Sequence, residues 1–136
     1  MAEIDAFTTR ARDYKDISLT FGRNPVTNDI LSVTGADAVK RSLKTLIMTM
    51  TGEAPFFPEF GSRLSRLLFE PIDPITTALI DSELRATING YEPRVTIRSL
   101  TITPSVDEHA YNIELTFQLV NQVEPITLTL FLTRLR

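Results

Sequence analysis

Two runs near the C-terminus alternate apolar and polar residues with a period of two, which leaves little choice of structure. H-A-Y-N-I-E-L-T-F-Q-L (109–119) sets Tyr111, Ile113, Leu115, Phe117 and Leu119 against Asn112, Glu114, Thr116 and Gln118. P-I-T-L-T-L-F-L-T-R-L (125–135) sets Ile126, Leu128, Leu130 and Leu132 against Thr127, Thr129, Phe131 and Thr133. Successive side chains of a strand point to opposite faces, so each run reads as a strand with one buried face. A third run, Val95–Thr103, is apolar at 95, 97, 100 and 102. Its parity changes after Ile97, which predicts a bulge near Arg98–Ser99. The short links S-V-D-E and N-Q-V-E suit an antiparallel meander.

Helical spacing dominates the middle of the chain. Val39, Leu43, Leu46, Ile47 and Met50 share one helix face, Thr34 and Asp37 have capping-box spacing, and Gly52 suits a stop. S-R-L-S-R-L-L-F (62–69) predicts a short amphipathic helix. A longer helix starts at Asp73-Pro74, a cap followed by a proline at the first helical position. Ile80, Leu84, Ile88 and Tyr91 form its apolar stripe, Ile75 and Leu79 widen it, and Gly90 is placed to end it. D-I-S-L-T-F (16–21) predicts a short N-terminal strand with Ile17, Leu19 and Phe21 on one face. The N-P-V-T-N-D turn (24–29) follows, then I-L-S-V (30–33) as a second short strand or extended link. The expected fold is α+β: a C-terminal antiparallel β-meander covered on one face by two main helices and one short helix, plus the N-terminal strand. Residues 1–136 suit one domain, with 1–15 as a loose arm.

Composition excludes several function classes. A net charge of −3 without a Lys/Arg cluster argues against nucleic acid. No apolar run approaches the roughly 20 residues needed to span a bilayer, and M-A-E-I-D-A-F lacks the flank and core of a signal peptide. One histidine, His109, and no cysteine leave no material for a His-based triad or a thiolate metal site. A Gly-rich phosphate loop is also lacking. No metal, cofactor or small-molecule substrate is expected. Glu53, Glu59, Glu70 and Asp73 lie near one another in sequence, and a pair flanking a groove would suit glycoside hydrolysis. That is the alternative reading, a glycoside hydrolase.

Three stretches point instead to partners. Between Gly52 and Arg63, two prolines and two glycines forbid a regular element, yet the loop carries Phe56, Phe57 and Phe60. Such rings either fold back onto the core or form a docking surface. We expect at least one in the core and Phe57, near Glu59, at an interface. At N-G-Y-E-P-R (89–94), Pro93 turns the chain sharply into the sheet. Glu92 and Arg94 on that corner either simply flank a turn or offer an acceptor and a planar donor fork to a partner. Finally, the last strand is uncharged until Arg134 and lies at a sheet edge unless the N-terminal strand covers it. Its outward set, Thr127, Thr129, Phe131 and Thr133, borders an edge blunted only by Pro125 and the terminal arginines.

G-E-A-P-F-F-P-E-F-G-S, then L-L-F-E-P-I-D-P, then Y-E-P-R-V, in this order and spacing, resembles the baseplate wedge proteins of contractile phage tails. This is the lysozyme-like sheath-initiator family, which has a relative in type VI secretion baseplates. The likeness runs from residue 24 to the end of the sheet and departs at the second Phe of P-F-F-P. It implies a non-enzymatic virion part in the sixfold tail baseplate, assembled in the host cytoplasm around the end of the tail tube. It also implies that Glu92, Pro93 and Arg94 contact a helical bundle of neighbouring wedge proteins. The sheet would template the first ring of tail sheath protein.

Overall fold

The structure is a computed structural model that describes residues 15–18, 20–30, 32–120 and 122–133. The chain falls into two compact units that divide after Ala38. In the first, β1 (Lys15–Ile17) pairs antiparallel with β2 (Ser32–Thr34). The turn between them is built on Asn24, whose side-chain oxygen accepts from the N–H groups of Val26 and Thr27. The expected strand over 16–21 stops at Ile17. Ile17 and Phe21 are both exposed, and Phe21 takes a φ of 49° in a turn whose N–H reaches Ser18 O at 3.0 Å. Leu19 and nearly all of the expected arm lie outside the described residues.

Helix α1 (Ala36–Met48) crosses into the second unit and buries Val39, Leu43, Leu46 and Ile47. It differs from expectation at both ends. Thr34 belongs to β2, and Gly35, at a φ of 67°, stands between strand and helix, so Thr34 is not the flanking residue. The helix stops at Met48 rather than near Gly52, and Met50 is exposed. The reason is that Met50 pairs in parallel with Ser62, and this extended backbone cannot continue a helix.

After α2 (Leu64–Leu67) comes α3 (Pro74–Tyr91), with Asp73 at its N-cap. The Asp73 carboxylate accepts from Thr76 N–H at 2.6 Å, which holds its pKa below the ordinary value. Thr76, Ile80, Leu84, Thr87 and Ile88 are buried, whereas Ile75, Leu79 and Tyr91 are exposed, so the buried stripe is narrower than expected. Gly90 lies inside the helix. Pro93 sets the stop instead, by biasing Glu92 out of the helical region to φ −126°, ψ 75°.

β3 (Val95–Ser105), β4 (Ala110–Leu119) and β5 (Pro125–Thr133) form the meander in that order. The register shifts between Ile97 and Ser99, as the parity change predicts. Tyr111, Ile113, Leu115, Phe117 and Leu119 are all buried. α3 packs on β3 and α2 on α3. The fold is α+β.

Candidate docking site

The corner is built where α3 hands over to β3. Glu92 is only 4% exposed, so it is not the surface charge the sequence suggested. Burying a carboxylate requires partners on its oxygens. Arg94 Nε donates to Oε1 and Arg94 Nη2 donates to Oε2 at 2.6 Å. Ser42 Oγ, from α1, donates to Oε2 at 2.8 Å and accepts from Arg94 Nη2 at 3.3 Å. Burial pushes the Glu92 carboxyl up, but the hydrogen bonds from Arg94 and Ser42, together with the guanidinium charge, outweigh it and hold the pKa below 4.5. The two charges therefore face unequally: 36% of the Arg94 side chain reaches solvent against 5% of Glu92. Pro93 between them is exposed.

Tyr91 links the corner to the aromatic loop. Its hydroxyl donates to Glu59 O, and its ring meets Phe60 edge to face at 5.5 Å. Phe60 is half-buried by that contact; Phe56 and Phe57 are 89% and 73% exposed. No ring of the loop enters the core, contrary to expectation; the base of the loop is fastened to the end of α1 by backbone groups, and the rings lie beyond it. Ser62 N–H donates to Thr49 O, Thr51 N–H to Ser62 O, and Gly52 N–H to Pro58 O. Gly61, at φ 115°, makes this approach possible, since a Cβ there would lie 2.6 Å from Thr49 O. Phe56, Phe57, Pro58, Glu59, Phe60 and Tyr91 line an open groove of about 460 Å³. Glu59 contributes its backbone carbonyl to the Tyr91 bond and leaves its side chain exposed.

The third candidate is the far edge of the sheet. Val120 N–H donates to Arg94 O, so even-numbered residues of β4 direct their backbone groups toward β3 and odd-numbered ones toward β5. Tyr111, Ile113, Leu115 and Phe117 lie opposite Leu132, Leu130, Leu128 and Ile126. The backbone N–H and C=O groups of Thr127, Thr129, Phe131 and Thr133 consequently point away from the sheet. Among the described residues no strand pairs with them. Their side chains share the outer sheet face and are exposed, Phe131 at 51%.

Residues 33–124 match the family described as baseplate wedge protein gp25. The chain belongs to that family. The gp25 wedge protein of Enterobacteria phage T4 is 31% identical over 98 residues, covering 72% of this chain and 74% of its own length. Baseplate protein W of Escherichia phage P2 is 27% identical over 103 residues, covering 76% and 89%. A chain of the sixfold-symmetrised anti-feeding prophage baseplate superposes with a TM-score of 0.70 at 25% identity, over 82% of this chain and 90% of that one. A Geobacter sulfurreducens protein described as a putative tail lysozyme shares the fold, with a TM-score of 0.68 at 22% identity, over 74% and 91%. The gp25-family chain is thus a structural component of a contractile-tail baseplate, and it associates there with other baseplate proteins.

Ser42 escaped the sequence reading altogether. No local pattern marks it, since its partner is 50 residues away.

Proposed function

We propose that the protein docks onto neighbouring wedge proteins through Glu92, Pro93 and Arg94 and the adjacent loop bearing Phe57 and Glu59. Its β5 edge then receives an extended segment of the first ring of sheath subunits, in a sixfold assembly around the end of the tail tube. The outward row of backbone groups at Thr127, Thr129, Phe131 and Thr133 carries this reading. Backbone hydrogen bonds supply the affinity in strand addition, and alternate side chains supply the selectivity. Loop and corner are joined through Tyr91, which makes them one continuous surface.

The role is non-catalytic. Of the four acids that suggested a hydrolase, Glu53 accepts from Met50 N–H and Asp73 caps α3. The lowered pKa of Asp73 is the opposite of what a general acid needs. Purified protein is expected to release no more peptidoglycan fragments than a variant lacking all four; turnover lost in that variant would restore the hydrolase.

Thr129→Pro tests the edge, because proline removes one outward donor without touching the ladder to β4. The expected result is a folded protein that enters baseplates but starts no sheath, seen as bare tubes by negative-stain microscopy. Normal sheath on such particles would exclude β5 as the template.

A further inference from the structure

The hydrogen bonds of the corner extend beyond the tripeptide that the sequence displays. Glu92 Oε2 receives two donors, one from Arg94 and one from Ser42, and Ser42 Oγ also accepts from Arg94 Nη2. A serine hydroxyl has one donor and two acceptor positions, so both bonds can form at once. The result is a closed ring of three side chains drawn from α1, the end of α3 and the start of β3. A guanidinium on a flexible stem loses considerable rotamer freedom when it docks, and a site that fixes it beforehand loses less on binding. Held only by Glu92, two residues away, the Arg94 fork would move with the corner. Held also by Ser42, it is referenced to a helix of the core.

We propose that Ser42 is a positioning residue of the docking site, fixing the Glu92 carboxylate and the Arg94 fork in the geometry the partner meets. The proposal rests on the reading of Arg94 as a docking group. It identifies the recognition unit as Ser42, Glu92, Pro93 and Arg94, of which Arg94 is the member that touches the partner.

The test uses the full-length chain in two measurements. Hydrogen exchange at Arg94 Nε–H, followed by NMR, reads how firmly the fork is held; incorporation into purified tail particles reads docking. Ser42→Ala is expected to speed the exchange by about five- to tenfold, the factor that one net hydrogen bond supplies, and to lower incorporation. Ser42→Thr, which keeps the hydroxyl, is expected to restore both. A structural role alone would lower the thermal midpoint without changing Arg94 exchange in the folded state. Unchanged exchange in Ser42→Ala overturns the proposal, whatever incorporation does. The double variant Glu92→Gln/Arg94→Gln, which leaves no unpaired buried charge, tests the docking reading separately. Its normal incorporation would remove that reading while leaving the exchange result intact.

Discussion

The Glu92–Arg94 corner and the β5 edge differ in which of their bonding groups the fold leaves outward. The corner displays its charges in the sequence, yet most of its bonding capacity is used within the chain: Glu92 is buried and both carboxylate oxygens are occupied. The edge displays only threonines and one phenylalanine, yet its backbone donors and acceptors point outward at every second residue. Charge in a sequence advertises itself through side-chain type. An outward-facing backbone row has no side-chain signature, and which residues carry it is fixed by the register.

If that contrast is right, the corner is the region whose mutation costs folding. Arg94→Ala should lower the unfolding free energy by about 2–3 kcal/mol, less than the ~3–5 of a fully buried pair because part of Arg94 reaches water. Urea unfolding would show it. A loss near zero, which the sequence reading of an exposed corner charge expects, would break the comparison.

Acid sharpens the same point. The folded pKa of Glu92 lies below its unfolded value, so its stabilisation is full above the unfolded pKa and fades as pH falls through the folded one. The stability advantage of wild type over Glu92→Gln should therefore hold at pH 7 and narrow below pH 4.5. A constant difference across that window would mean that the carboxylate is not held by charge.

Phe60→Ala should cost about 1–2 kcal/mol, reflecting a half-buried ring and its edge-to-face contact with Tyr91. At the edge, Thr129→Pro should change the stability of the isolated chain by less than about 1 kcal/mol. Its effect belongs to sheath formation, and a larger folding loss would show that Thr129 N–H is bonded within the chain. The smallest effect is expected for Phe57→Ala, within about 0.5 kcal/mol, since a largely exposed ring adds little to folding. A greater loss would return the loop to the core.

What the sequence conveyed was local. Period-two alternation placed β3, β4 and β5, the broken parity placed the bulge beside Arg98, and Asp73-Pro74 placed the start of α3. Errors arose at helix ends, where a distant contact or a competing nearby stop signal decided the boundary. Ser62 pairing with Met50 ended α1 early, and Pro93 overrode Gly90 as the stop of α3. The tripeptide at 92–94 was visible as unusual chemistry, but the burial of Glu92 depends on Ser42, which lies 50 residues upstream.

The glycine at position 61 has a mechanical consequence. Its missing Cβ lets the chain press against Thr49, where Ser62 N–H bonds Thr49 O and Ser62 Oγ bonds Ile47 O at 2.7 Å. One backbone and one side-chain hydrogen bond thus tie the base of the loop to the end of α1, the helix that also carries Ser42. Replacing one hydrogen atom at residue 61 with a methyl group would push that group into Thr49 O and loosen the loop from the same helix.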